Sequence, residues 1–235
     1  MLFSMPVTFI GDVHGWSERL NRLLDQLSGD LVFMGDLIDR GPDAPGVLLR
    51  VKKLCDNGQA RCLMGNHEYT LLRSLGFPGS GFDPDPRLFD AWVRGFGGHA
   101  VMKAYNVQTA EALCEVMEEQ LAWLVNLPWI IKGEENDRHW IAVHAGLGER
   151  PVTTQLPALY AGWDGDDGGA APLFNKAWSH SVPNDLPMNW CVVSGHTPVR
   201  QPLITPQRIL CDTSGGLPER KLSAVEWPSG RIIQS

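Results

Sequence analysis

The stretch Val7-Thr8-Phe9-Ile10-Gly11-Asp12-Val13-His14-Gly15 decides how the rest of the chain is read. Val7 to Ile10 are aliphatic, aromatic or β-branched and suit a buried strand. The chain then turns at a glycine and presents Asp12 and His14, two metal-ligand types. The same grammar returns twice. Leu31-Val32-Phe33-Met34 runs into Gly35-Asp36-Leu37-Ile38-Asp39-Arg40-Gly41, and a strand over Ala60 to Met64 runs into Gly65-Asn66-His67-Glu68. Helical spacing fills the gaps: Leu20, Leu23, Leu24 and Leu27 follow Ser17 as a cap, Val47 to Leu54 forms a second helix, and Glu68 to Leu75 starts a third. A β-α-β-α-β order implies an α/β sheet with right-handed crossovers. Ligands of such sheets gather at the carboxyl ends of the strands, where these polar residues stand.

Residues 76–86 form a Gly/Pro loop, followed by helices near 87–94 and 109–125. The second half reads mostly as strands: Trp129 to Lys132, Trp140 to His144, Cys191 to Ser194, Ile209 to Cys211 and Leu222 to Glu226. Two of these end in histidines, His144 in IAVHAG and His196 in VVSGHTP. Gly-rich 162–172 reads as an exposed loop. Trp163 and Trp178 flank it, as core residues or as the wall of a substrate groove. His99 and His139 match no motif and read as surface or structural residues.

Bulk properties exclude several classes. The chain has 235 residues, 43% hydrophobic and 20% charged, with net charge −7. That is ordinary for a soluble globular protein, long enough for one sizeable core, and no boundary splits residues 1–235. No basic block suggests nucleic acid or a membrane surface as partner. No apolar run approaches the roughly 18 residues of a membrane helix. The N-terminus lacks a basic region, and five cysteines without C-x-x-C spacing read as free thiols of a cytoplasmic protein.

Five strand ends thus deliver Asp12, His14, Asp36, Asn66, His144 and His196. A mixed oxygen and imidazole shell suits Mn, Fe or Zn better than Mg or Ca. Six ligands are too many for one ion that must also hold substrate; two ions sharing one carboxylate fit better. Each glycine before these residues would let the backbone turn sharply.

The ordered motifs resemble those of the calcineurin-like binuclear metallophosphoesterases, and more narrowly the bacterial and phage lambda-type branch of the phosphoprotein phosphatases. They are Gly11-Asp12-Val13-His14-Gly15, Gly35-Asp36-Leu37-Ile38-Asp39-Arg40-Gly41, Gly65-Asn66-His67-Glu68, His144-Ala145-Gly146 and Gly195-His196-Thr197-Pro198. The resemblance implies a β-sandwich flanked by helices, in αββα layers. It implies two divalent ions, Mn2+ first with Fe or Zn as alternatives. Asp12 and His14 would bind the first ion, Asp36 would bridge, and Asn66, His144 and His196 would complete the second. His67 would be the general acid, held by Asp39, and Arg40 would bind phosphate. Glu68 would open a helix, favoured by the dipole.

The implied activity is phosphomonoester hydrolysis by in-line attack of a hydroxide bridging the metals, with phosphoserine and phosphothreonine proteins as first substrates. Small phosphate esters are also expected. Relatives that cleave symmetric dinucleoside tetraphosphates look similar but tend to carry Gly-Asn-His-Asp, where this chain has Glu68. A non-catalytic metal-binding scaffold would have no use for His67, Asp39 and Arg40. Nucleases of the wider superfamily usually show Gly-His-x-His, where Pro198 stands here. Phage-type relatives also place a second phosphate-binding Arg after a Trp. The matching Trp178-Ser179-His180 leaves His180 or nearby Lys176 as its replacement, or His180 as a bystander.

Overall fold

A computed structural model describes residues 6–135, 137–165 and 171–235. Its first strand, β1 (Val7–Ile10), is buried on both sides: Val7 and Phe9 face a second sheet while Ile10 faces helices. It pairs in parallel with β2 (Asp30–Phe33), which pairs in parallel with β3 (Ala60–Cys62). Helices α1 (Ser17–Leu24) and α2 (Ala44–Asp56) make the crossovers, and α3 (Asn66–Leu75) follows β3. Then come α4 (Pro86–Ala91), α5 (His99–Ala104), α6 (Ala110–Val116) and α7 (Glu118–Leu124). Strands β4 (Ile130–Glu135) and β5 (Arg138–Val143) start a second sheet, followed by α8 (Val152–Ala161) and α9 (Ala171–Phe174). The last strands are β6 (Trp190–Ser194), β7 (Leu203–Thr205), β8 (Arg208–Leu210), β9 (Ser223–Trp227) and β10 (Ile232–Gln234).

The two mixed sheets run β10-β9-β1-β2-β3 and β4-β5-β6-β8-β7. Val7, Phe9, Val32 and Val225 of one pack on Trp140, Ala142, Val193 and Ile209 of the other. Phe9 meets the Trp140 ring edge-on at 5.1 Å. Truncating a wholly buried ring such as Phe9 to alanine costs about 3–5 kcal/mol. Helices cover both outer faces, which is the expected αββα sandwich. It aims the carboxyl ends of β1, β2, β3, β5 and β6 at one side.

Several elements differ from the expectation. Ser17 is the first helical residue of α1, and its N-cap Trp16 makes no side-chain cap bond. Asp43 caps α2 by accepting the Gly46 N–H at 2.9 Å, so that helix begins earlier than its apolar spacing reveals. The helix expected over 109–125 breaks at buried Met117, and Glu118 and Glu119 open α7. The helix near 87–94 passes from α4 into a π-helical turn, Trp92–Phe96. Strands β7 and β10 were missed because each is three residues long at a sheet edge. Within 162–172 the chain makes a 3-10 turn, Gly162–Gly165, and opens α9; residues 166–170 of that expected loop lie outside the described residues.

Candidate metal centre

The strand-end loops are held in a conformation that L-residues avoid. His14 (φ 49°), Asp36 (50°), Asp39 (71°), Arg40 (65°) and His196 (65°) are left-handed. Each costs on the order of 1–2 kcal/mol. Among the described residues, Asn106 and Asp137 are the other non-glycines in this state. Strain that converges on one end of a sandwich, at residues of metal-ligand type, marks a functional site.

Glu68 holds the second loop. Its buried carboxylate accepts the N–H groups of Asp36 (2.9 Å), Leu37 (2.8 Å), Ile38 (3.1 Å) and Gly65 (3.2 Å). The role expected of it, an acid at the start of a helix, is thereby widened to a clamp that ties α3 to the Asp36 loop. The glycines also work differently from the expectation. Gly35 turns the chain at φ 89°. Gly65 and Gly195 instead give room, since a Cβ would fall 2.3 Å from the Asp36 N and 2.0 Å from Asp12 Oδ1.

Asp36 sits between two groups of imidazoles. Its Oδ2 lies 3.8 Å from His14 Nε2 and 3.7 Å from His67 Nε2, and its Oδ1 lies 3.4 Å from His144 Nε2. Asn66 Oδ1 is 2.9 Å from His144 Nε2 and 2.8 Å from His196 Nδ1. Two clusters result, His14–Asp36–His67 and Asp36–His144–His196, sharing Asp36. Nδ1 of His14 donates to the Ile38 carbonyl (3.0 Å) and Nδ1 of His144 to the Met34 carbonyl (2.6 Å), which turns each Nε2 lone pair inward. Burial drives both imidazoles toward the neutral, metal-binding form, and burial with nearby His144 takes His196 down to about 4. Burial opposes the charge of Asp36, but His144, His67 and His14 hold its carboxyl below the usual range.

Asp12 is buried nearby but joins neither cluster: both of its oxygens accept the His196 N–H, at 3.1 and 2.9 Å. Burial, Asp212 and Asp36 push its carboxyl well up. Burial also lifts Asp212 to about 6, although the Gly215 N–H bonds its Oδ1, and its Oδ2 has no hydrogen-bond partner among the described residues. Buried carboxylates that raise one another, beside inward-facing neutral imidazoles, fit divalent cations.

His67 is held differently. Its Nδ1 lies 2.6 Å from Asp39 Oδ2, which also accepts the Trp92 indole N–H at 2.9 Å. Burial lowers the imidazole, but Asp36 and Asp39 outweigh it and hold His67 above its ordinary value. Arg40 reaches across with Nη2 3.0 Å from His67 Nε2, Nη1 2.9 Å from His14 Nε2, and Nη1 donating to the Gly215 carbonyl at 2.8 Å. A cleft of about 230 Å³ opens beside them, lined by Arg40, His67, Phe96, Phe174, Lys176 and His196 among others. Lys176 therefore faces the site; exposed His180 is outside its lining.

Sequence reasoning missed Trp92, Asp212 and Arg208. Trp92 looked like one core tryptophan among nine. Asp212 carried a readable signal, since Ile209-Leu210-Cys211-Asp212 repeats the strand-then-acid pattern. Arg208 is buried beneath both histidine loops, where its Nη2 donates to Ser194 Oγ at 2.5 Å. His139 stacks on Trp190 and pairs with Glu134, and His99 is exposed. All five cysteines are free, three of them buried. No helix among the described residues is long and apolar enough to cross a membrane.

The sequence profile of the calcineurin-like phosphoesterases matches residues 5–216. The chain belongs to that family. Calcineurin-like phosphoesterases carry a binuclear metal centre, and the two clusters around Asp36 supply candidate ligands for it. The chain is 26% identical to an asymmetrical bis(5'-nucleosyl)-tetraphosphatase, PrpE, of Oceanobacillus iheyensis over 254 aligned positions, 97% of this chain and 91% of that protein. It is 46% identical to a symmetrical bis(5'-nucleosyl)-tetraphosphatase of Ralstonia nicotianae over 71 positions, 29% of this chain and 25% of that protein. A solved putative diadenosine tetraphosphatase superposes with TM-score 0.62 at 24% identity, over 100% of this chain and 94% of that one. A cold-active protein tyrosine phosphatase gives 0.60 at 19%, over 98% and 78%. These two superpositions establish the shared fold.

Proposed function

We propose that this phosphoesterase is a cytoplasmic, single-domain hydrolase of phosphate esters and anhydrides, with dinucleoside polyphosphates as its preferred substrates. The observation that carries the hydrolase reading is the setting of His67, with Nδ1 against Asp39 at 2.6 Å and Nε2 3.7 Å from Asp36 Oδ2. That imidazole is oriented by Asp39, held above its ordinary value by Asp36 and Asp39, and aimed at the shared carboxylate. Asp12, His14 and Asp36 would hold one ion and Asp36, Asn66, His144 and His196 the other, Mn2+ first with Fe or Zn as alternatives. When bound, the pair supplies an activated water and neutralises phosphoryl charge. His67 Nε2 delivers a proton to the leaving oxygen, Asp39 stabilises the imidazolium, and Trp92 fixes Asp39. Arg40 grips phosphoryl oxygens with its planar fork, and Lys176, which lines the same cleft, adds a second cation.

The choice of substrate rests on the end-to-end similarity to tetraphosphatases. The sequence had favoured phosphoproteins because Glu68 replaces an Asp. Glu68 is wholly buried against backbone N–H groups, so it speaks for loop geometry rather than substrate. A second reading, the phage-type protein serine/threonine phosphatase, is favoured by the intact His67–Asp39 pair, because alkoxide leaving groups need protonation most.

A Mn-loaded preparation tested on diadenosine tetraphosphate, phosphoserine peptides, p-nitrophenyl phosphate, cyclic nucleotides and nucleic acid separates these. The expected result is the highest kcat/KM for diadenosine tetraphosphate. A clear preference for phosphopeptides would transfer the chain to the second reading. No metal-dependent turnover of any of these esters or of the tetraphosphate anhydride would refute both.

A further inference from the structure

One short segment outside the strand-end loops touches His67, Asp39 and Arg40 in turn. It is the π-helical turn Trp92–Phe96, which the Gly97 N–H closes by donating to the Trp92 carbonyl. A hydrogen bond reaching back five residues widens a helix by one residue, and such turns are found frequently at functional sites.

Trp92 is wholly buried. Its indole N–H donates to Asp39 Oδ2 at 2.9 Å, the same oxygen that lies 2.6 Å from His67 Nδ1. Asp39 Oδ1 is buried and has no hydrogen-bond partner among the described residues. One oxygen therefore carries both contacts, and the indole is the group besides His67 that sets the rotation of this carboxylate. Gly98 leaves room for the indole, since a Cβ there would fall 2.5 Å from Trp92 Cε2, and the Phe89 ring packs on it at 5.4 Å. Further along the turn, Phe96 meets the His67 ring edge-on at 5.2 Å and lines the cleft. Gly97 follows at φ 95°, and its carbonyl accepts the N–H of left-handed Arg40 at 3.1 Å. A Cβ on Gly97 would fall 2.9 Å from Arg40 Cγ. The imidazole, its carboxylate and the arginine beside them thus share one neighbouring turn.

We propose that this π-helical turn is the positioning element of the acid: Trp92 fixes the rotation of Asp39, Phe96 backs the His67 ring, and Gly97 seats Arg40 beside them. This rests on the reading of His67 as the general acid. Trp92 acts through Asp39 and is a positioning residue. The aim of His67 Nε2 then depends on a segment that belongs to neither sheet and to none of the strand-end loops.

Trp92→Phe keeps a ring and removes the donor. On the Mn-loaded protein it should lower kcat about 10- to 100-fold for a phosphoserine peptide, the size of a hydrogen bond to a charged group. The loss should shrink for p-nitrophenyl phosphate, whose leaving group needs little protonation, and KM should hold for both. In an Asp39→Asn background the same substitution should cost little, because the partner through which it acts is altered. A loss equal for both esters, or undiminished in that background, would make Trp92 a packing residue and overturn the assignment. Phe96→Ala, at a half-buried position, decides if Trp92→Phe does not fold. It should show the same dependence on the leaving group, and its absence would overturn the role of the turn. A second readout is independent of turnover. In the Zn-loaded protein the proton between His67 Nδ1 and Asp39 should lie far downfield in the 1H NMR spectrum, as short charge-assisted bonds do, and His67→Asn identifies it by its loss. Trp92→Phe should shift that line; an unmoved line would overturn the positioning role. If the wild type cleaves no ester, the general-acid reading fails by itself, and the line still decides whether the turn positions the His67–Asp39 pair.

Discussion

The two halves of the molecule build the site by different means. Up to Leu75, three parallel strands end in three short loops that are locked to one another. Glu68 bonds the backbone of Asp36, Leu37 and Ile38, and the Asp36 carbonyl accepts the N–H groups of Val13 and His14. This half carries the shared carboxylate and the acid pair. Beyond β4, strands still deliver His144 and His196, but the cleft beside them is lined from short segments: Phe174 at the end of α9 and Lys176 in a 3-10 turn, with the Gly215 turn holding Arg40. On the proposed reading, the acid pair sits on the interlocked first half and part of the substrate contact on short segments of the second, a division found in enzymes that vary specificity on a fixed centre. Damage to the strand-end ligands of either half should therefore appear in metal content and kcat, and damage to the short segments of the second half that line the cleft in KM.

The largest effect should follow Asp36→Asn. Asp36 faces both clusters, so the variant should fall to background turnover and lose both ions by elemental analysis, beyond any single-cluster variant such as His196→Asn. A milder loss than His196→Asn would break the claim that the first half carries the shared ligand. Next is His67→Asn, which should lower kcat by roughly 10²–10⁴ on alkyl phosphates and less on p-nitrophenyl phosphate, whose leaving group needs little protonation. Metal content should stay near that of the wild type. Loss of an ion would instead make His67 a ligand, a role that its closeness to His14 and Asp36 also allows.

The second half predicts smaller changes. Lys176→Ala should raise KM about tenfold at most, because the ammonium is exposed and screened, with kcat nearly intact. His180→Ala should leave KM where it was. The reverse order would move the second phosphate grip from Lys176 to His180 and with it the assignment of the cleft's outer wall.

Legibility in the sequence follows the same division. Asp12, His14, Asp36, Asn66 and His67 are readable because each stands within a few residues of a continuous apolar run that a glycine ends. His144 and His196 were readable for the same reason. Arg40 and Asp39 needed the family resemblance, since an Asp-Arg pair alone is as often a surface ion pair. Phe174 ends the four-residue α9 and Lys176 opens a three-residue 3-10 turn, both too short for a period to detect. Trp92 is invisible in another way: its bond to Asp39 spans 53 positions and depends on a π-helical turn that no local propensity marks. Glu68 does open α3 as its sequence position implies, but its clamp on four backbone N–H groups is not visible there, because such an acid looks in sequence like any first-turn glutamate.

The smallest effect concerns stability of the metal-free protein above pH 6.5, and it asks which half bears the strain of uncompensated acids. Burial, with Asp36 nearby, lifts Glu68 in the first half to about 7, while burial lifts Asp212 in the second to about 6. Unfolded carboxyls titrate near 4. The folded state therefore keeps protons that the unfolded state has lost, and stability falls as pH rises through the folded values. His67, also raised, contributes the same sign above roughly 6.5, and Asp12 contributes the same sign above the ordinary carboxylate range. His14, His144 and His196 are lowered, so above roughly 6.5 they are neutral in both states and add no slope. The metal-free melting temperature should accordingly drop between pH 6.5 and 8, and Mn should flatten the drop by compensating the acids. Glu68→Gln should remove more of the slope in this window than Asp212→Asn, whose effect belongs mostly below it. A melting temperature that rises over this window, or slopes affected equally by the two substitutions, would show that the carboxyl burden is not concentrated beneath the Asp36 loop.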